Sequence, residues 1–390
     1  MSEPIPETPS VQDEYELWKK NCRYMYEFVS ETALTWPSLT VQWLPQHSTN
    51  ADNNIDARVL LGTHTSGQDQ NYLKIASTEL TSDANLASGG PKANARIKVV
   101  KKFANDAEIN RGRVQPQDPN VIATINGNGE IDVYNTETDT RNHFIPHTEN
   151  GYGLSWNRHK QNWLLSGSDD RSVAVTDTSL ASDKSTIVKV ADSHTDIVND
   201  VSWHYFDADV FGSVSDDKTA KLWDSRTQKS TAQFEVPDSQ GINTIGFSPF
   251  SHNLFAVGNA SGTISVFDRR KPGQYPLHSM MGHSEAINML EFSPHNDGII
   301  ASGSSDRRVI IWDLFKIGEE QQQEDAEDGA PELFMMHAGH TAGVTDLSWC
   351  PYRPWTLASV ADDNVVHLWQ VGQKILNEGS DDAVADDELE

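Results

Sequence analysis

The stretch HTDIVNDVSWHYFDADVFGSVSDDKTAKLWD, residues 194–224, decides the fold. It holds two short apolar runs, VFGSVS and AKLW, split by the polar turn DDKT, and it ends in an aromatic followed by an acid. His194 stands 23 residues before Asp217, and Asp217 stands six before Trp223. The 23-residue offset returns at His147 and Asp170, His283 and Asp306, and His340 and Asp363, with degenerate copies at Asn105 and Asn128 and at Asp238 and Ser261. Runs like AKLWD end at Asn135, Asp177, Asp224, Asp268, Asp313 and Gln370, at intervals of 42, 47, 44, 45 and 57 residues. Residues 60–77 supply a seventh unit. Four short strands cannot bury both faces alone, so such units close into a ring. The expectation is an all-β fold, a seven-bladed β-propeller over residues 36–372.

These marks resemble WD-repeats, Trp223 with Asp224 and Trp312 with Asp313 being the closest. In that family the His, Asp and Trp hydrogen-bond within each blade, so the repeated histidines read as structural groups and His194 beside Asp196 is not a catalytic dyad. No Gly-rich phosphate loop, HExxH or GxSxG is present. No enzyme chemistry, cofactor or metal is expected. Cys22 and Cys350 lie far apart without a CxxC spacing, which speaks against a disulfide framework or a cysteine zinc site. With 57 acidic against 30 basic side chains the formal charge is -27, which opposes nucleic acid and anionic membranes and favours a basic partner. The start MSEPIPETPS has no signal-peptide pattern, and no 18-residue apolar stretch occurs.

Function is sought where copies depart from the repeat. Five residues after each marker stand Asn110, Tyr152, Asn199, Asn243, Asn288 and Thr345. Asn suits a loop-to-strand corner by bonding nearby backbone; the alternative is a polar channel mouth, where Glu108, Asp169, Asp216 and Asp362 would meet an Arg or Lys. The interval of 57 residues contains an acidic insertion, residues 318–332, followed directly by LFMM. It is either a solvated loop or one wall of a site for a basic amphipathic helix. The other wall comes from residues 1–35, where a helix over about 11–30 carries Tyr15, Trp18, Cys22, Met25 and Val29 on one face. Leu17, Tyr24 and Phe28 form a second stripe, buried by the protein itself or open to a partner. Residues 373–390 read as an acidic disordered tail.

The motifs EYELWKKN (14–21), WPSLTVQWLP (36–45), LGTHTS (61–66), NGYGLSWN (150–157), DVSWH (200–204) and KIGEEQ...EDAEDG.PEL (316–333) resemble the retinoblastoma-binding histone chaperones with WD-repeats, which include the non-catalytic subunit of type B histone acetyltransferase. The resemblance implies a site for the first helix of histone H4 formed by Met25, Glu27, Phe28, Glu324, Asp325, Glu327, Asp328, Leu333, Met335 and Met336. It also implies a histone H3 tail site at the channel mouth, with Trp36, His64, Glu108, Asn110, Tyr152, Asn199, Asp216, Asn243, Asn288 and Asp362. Chromatin-assembly members carry Glu where this chain has Thr35, Asn150, Asn199, Gly241 and Ala286, and an aromatic at Asn288, so a weakened or altered H3 site is expected. The implied role is a histone-presenting subunit beside a catalytic acetyltransferase chain, nuclear and cytoplasmic. A chromatin-assembly or deacetylase subunit and a ubiquitin-ligase substrate receptor are the rival readings.

Overall fold

The computed structural model describes residues 10–82, 85–86, 93–236, 239–273, 275–321 and 329–377. Among them lie seven antiparallel sheets, whose innermost strands contact one another in a closed circuit. From blade one to blade seven these inner strands are Val41–Trp43, Ile109–Val114, Gly151–Trp156, Val198–Trp203, Ile242–Phe247, Ile287–Phe292 and Val344–Trp349. The expected seven-bladed propeller is the observed fold. The aromatic-plus-acid runs are the third strands, for example Thr219–Asp224 in blade four and Val309–Asp313 in blade six.

The marker residues meet as the 23-residue offset requires. His194 lies 2.9 Å from Asp217 and 2.7 Å from Ser213, which also accepts the Trp223 indole N–H. His283 repeats this with Asp306, Ser302 and Trp312, and His340 with Asp363, Ser359 and Trp369. All four marker histidines, His147 included, are buried and hydrogen-bonded, which satisfies polar groups that would otherwise be costly inside. Blade two differs: Asn105 bonds Thr124, Asp132 and Tyr134, not Asn128. Asp238 lies outside the described residues.

The amino-terminal segment enters the ring. Helix α1 spans Val11–Met25, capped by reciprocal bonds between Ser10 and Asp13, and stops five residues short of the predicted end. Tyr26–Ala33 instead pairs antiparallel with Val365–Val371 and becomes the outer strand of blade seven. An unpaired sheet edge offers each backbone group of this Tyr-, Phe- and Val-containing segment a partner, and that outweighs the local absence of Gly and Pro. Helix α2, Gln373–Asn377, occupies the start of the predicted tail because Ile375 and Leu376 pack on the cluster around Trp18. Residues 378–390 lie outside the described residues.

Ring closure also depends on Asp346, fully buried in blade seven. Its carboxylate accepts from Thr40 Oγ1 and Val41 N of blade one at 2.9 Å each, and from both terminal nitrogens of Arg113 in blade two at 3.0 and 3.1 Å. One side chain therefore joins the last blade to the first two. Arg111 reaches across the channel from blade two to Asp200 of blade four, at 3.2 Å.

Candidate functional site: a channel mouth and a helix-lined groove

The inner strands all begin at one end of the channel, and each predicted mouth position is the second residue of such a strand, beside a register shift in the ladder. The bulge turns the side chain toward the neighbouring blade. Asn110 donates to Gly151 O at 2.8 Å, Asn199 to Ile242 O at 2.9 Å, Asn243 to Ile287 O at 3.0 Å and Asn288 to Val344 O at 2.8 Å. Thr345 donates to Ser38 O at 3.2 Å. The amide hydrogens are thus engaged in blade-to-blade bonds, the backbone role that sequence alone could not separate from recognition. Tyr152 makes no such bond among the described residues and is 39% exposed, so its ring is available at the mouth.

The carboxylates are less satisfied. Asp169 Oδ1 is buried without a hydrogen bond, and burial raises this carboxyl above the usual range; a hydrogen bond from Asn150 opposes the rise, and Glu149 and Asp216 add repulsion. Burial likewise raises Asp362, opposed by nearby His64. His64 N–H donates to Pro37 O at 3.0 Å, which brings the Trp36 loop against His64, and the Trp36 indole faces Asp69 at 3.4 Å. Asp216 accepts from Asn199 at 2.7 Å and lies against Gly241, where an added Cβ would stand 2.5 Å from Asp216 Oδ1 with φ at +149°. Gly241 is therefore required by Asp216, and more than a missing carboxylate. Glu108 is half-buried against Gly127. Carboxylates at this opening, partly desolvated at Asp169, favour a cation over an anion there.

The second site lies outside the channel, where α1 meets blades six and seven. Trp18 is 5% exposed and fixes α1, its ring seated where a Cβ on Gly339 would come within 2.5 Å. Arg307 of blade six pairs with Glu14 at 3.0 Å. Tyr15, Cys22 and Met25 pack inward as predicted, while Leu17 and Tyr24 are 60% and 52% exposed. The open stripe is therefore these two residues. Phe28 is on the strand, not the helix; its half-buried ring packs beside Val41 and Trp43 with Arg353 5.8 Å away. Glu27 occupies a register shift within this strand, between Tyr26 and Phe28.

The acidic insertion rejoins the sheet at Leu333–His337, the outer strand of blade six. Met335 is 4% exposed inside the Trp18 cluster, facing away from its neighbour Met336 because alternate strand residues face opposite ways. Leu333 and Met336 are half-buried against Ile310 and Trp312. Glu324, Asp325, Glu327 and Asp328 lie outside the described residues. Sequence reading missed Phe334, which packs on Trp355 at 5.2 Å, and the α2 residues Ile375 and Leu376. It also missed a cavity of about 400 Å³ at the far end of the channel, lined by Arg111, Arg113, Arg158 and Glu291, where burial pushes the Glu291 carboxyl up to about 7.

Two family models match this architecture. The one for histone-binding protein RBBP4 and its counterpart in the CAF1 complex covers residues 13–82, and the WD domain, G-beta repeat, covers 185–224, 274–313 and 332–370. Fold and site thus define a WD-repeat propeller with the amino-terminal segment of that histone-binding class. Histone acetyltransferase type B subunit 2 of Debaryomyces hansenii is 58% identical over 98% of this chain and 95% of its own length. The proteins of the same name from Candida albicans and Eremothecium gossypii are 59% and 45% identical, over 96% and 97% of this chain and 97% and 90% of theirs. The chain belongs to the histone acetyltransferase type B subunit 2 family.

Proposed function

We propose that this chain is the non-catalytic, histone-binding subunit of a type B histone acetyltransferase, which holds the first helix of histone H4 and presents the H4 amino-terminal lysines to a catalytic chain. The observation that carries this reading is the coincidence of two matches: relatives named for that subunit along nearly the whole chain, and a histone-binding family model on the residues that include α1. The chemistry agrees. An exposed Leu17 and Tyr24 on α1, together with an insertion whose sequence is rich in Glu and Asp, suit an amphipathic basic helix, and a net charge of -27 draws histones while repelling nucleic acid. The partly desolvated carboxylates at the channel mouth support binding of a histone H3 tail through Lys or Arg, weakened by the absent glutamates. Handling of both newly made and stored histones calls for a protein of nucleus and cytoplasm alike.

The test uses the purified chain with its catalytic partner. The pair should acetylate full-length H4 with a lower KM than the catalytic chain alone, the advantage should vanish for an H4 tail lacking the first helix, and this chain alone should transfer no acetyl group. Recovery from its own cells with large chromatin-assembly chains and no acetyltransferase would overturn the reading.

A further inference from the structure

The interface of α1 with blades six and seven contains a polar chain that the repeat does not require. The Trp18 indole N–H lies 2.9 Å from Tyr26 Oη, Tyr26 Oη 2.8 Å from His337 Nδ1, and His337 Nε2 3.0 Å from His367 Nδ1. His367 Nε2 then faces Glu31 Oε1 at 3.7 Å, and Glu31 accepts the Tyr15 hydroxyl at 2.8 Å. His367 stands two residues before Trp369, where blades two to six have Asp132, Ala174, Lys221, Ser265 and Ile310. It belongs to this interface and not to the fold in general.

Donor and acceptor roles along the chain are fixed from one end. An indole N–H only donates, so Tyr26 Oη accepts there and gives its own proton to His337 Nδ1. A neutral His337 therefore carries its hydrogen on Nε2 and donates to His367 Nδ1, leaving the His367 hydrogen toward Glu31. A second proton on His337 leaves the Tyr26 hydroxyl without an acceptor; a second proton on His367 sets two N–H groups against each other. Each added proton costs the chain one hydrogen bond, so all of its bonds are made only with two neutral imidazoles.

We infer that Trp18, Tyr26, His337 and His367 form a proton-sensitive latch that fixes α1 to blade seven and releases it when the imidazoles are protonated. The groups facing it are Tyr15, Lys19 and Cys22 from α1, Glu31 from the neighbouring strand, and His340 with Asp363 from blade seven. His340 stacks on His367 with ring centres 4.0 Å apart, so a proton there adds repulsion. Glu31 is the one facing carboxylate placed to stabilise a charged His367, and at 3.7 Å on a half-exposed side chain it compensates little. Burial holds both imidazoles well below their usual range, and His340 lowers them further. Undocking α1 lifts the Trp18 ring off both imidazoles and so moves them back toward their usual range, and acid favours release. Below about pH 6.5 each pH unit shifts the docking equilibrium by up to tenfold for one imidazole and about a hundredfold for two. The nitrogens of His337, His340 and His367 lie within 4.8 Å of one another, a spacing that also admits a metal ion, but their lone pairs and hydrogens are already engaged with Tyr26, Asp363, Ser359 and each other.

The consequence for histone binding rests on the groove proposed above, whereas the latch itself is read without histone. Amide hydrogen exchange of residues 11–25 in the full chain is compared at pH 7.5 and 5.5, corrected for intrinsic rates. The latch predicts that protection of α1 falls at least tenfold at pH 5.5 while blades three to five are unchanged. In His337→Gln with His367→Gln, where each amide offers one acceptor and donors but takes no proton, protection should be flat across that range. Tyr26→Phe, which interrupts the chain and keeps both imidazoles, should lose α1 protection already at pH 7.5. Protection of wild-type α1 that ignores pH, an unaltered pH response in the double variant, or one zinc per chain in the purified protein would each overturn the latch.

Discussion

Replacing Trp18 by Ala separates the groove from the propeller. Trp18 is the one helix residue that is fully interior, it donates to Tyr26 at 2.9 Å, and it fills the space left by Gly339. Truncating a buried Trp costs about 3 to 5 kcal/mol in transfer and cavity terms, and a shift of 3 kcal/mol is roughly a hundredfold or more in an equilibrium constant. Because the next segment, Tyr26–Ala33, remains paired in blade seven, the loss should fall on α1 alone. A free helix of 15 residues is marginal in water, so it should unfold once undocked. Trypsin reads this directly: Lys19, Lys20 and Arg23 lie on α1 and should be cleaved at least tenfold faster, while the main calorimetric transition moves by only a few degrees. Affinity for an H4 helix peptide should fall in parallel. Unchanged cleavage at these three sites, or collapse of the main transition with the helix still protected, would refute the reasoning.

Three further perturbations address the ring. Asp346→Ala leaves Arg113 buried without its partner and strands Thr40 and Val41 N, so urea unfolding should show a loss of about 3 to 5 kcal/mol. Glu291→Gln should stabilise the protein at pH 8 and have little effect at about pH 3.5, below the unfolded value: the raised carboxyl favours the folded state only while protonated, and that stability is lost as pH rises from the unfolded value of about 4.3 through the folded value of about 7. The side chain keeps some contact with channel water, so the gain is about 1 to 2 kcal/mol, read as the pH dependence of the urea midpoint. Asn243→Ala removes one blade-to-blade bond, and should cost about 1 kcal/mol in the same assay.

Much of this architecture was legible because it repeats. A fixed distance between His, Asp and Trp survives substitution of everything between them, and the observed hydrogen bonds connect the same atoms in several blades. Singular features were harder. The helix end was misplaced because only a distant edge strand, Val365–Val371, makes residues 26–33 extended. Met335 and Met336 read as one apolar surface, but strand alternation sends them to different clusters. The asparagines of the mouth could not be assigned from type alone, since their partners are carbonyls of the next blade, about 40 or more residues away. His367 did carry a signal, an imidazole at a position that is Asp, Ala, Lys, Ser or Ile in blades two to six, and it gained meaning only once Trp18 and Tyr26 were seen to arrive there.

The acidic insertion bears on function most directly. Reversing Asp325, Glu327 and Asp328 to Lys leaves every marker His, Asp and Trp in place, so the melting temperature should stay within a few degrees. Carboxylates closed over a basic helix cost about 2 to 5 kcal/mol when their partners are left unpaired, which is about thirtyfold to several thousandfold in affinity. The deciding measurement is calorimetric titration of the wild type and this triple variant with a peptide of the first helix of histone H4. Binding by the wild type and loss of at least thirtyfold in a normally melting variant is the predicted result; unchanged affinity in that variant would contradict the assignment of this groove to histone H4.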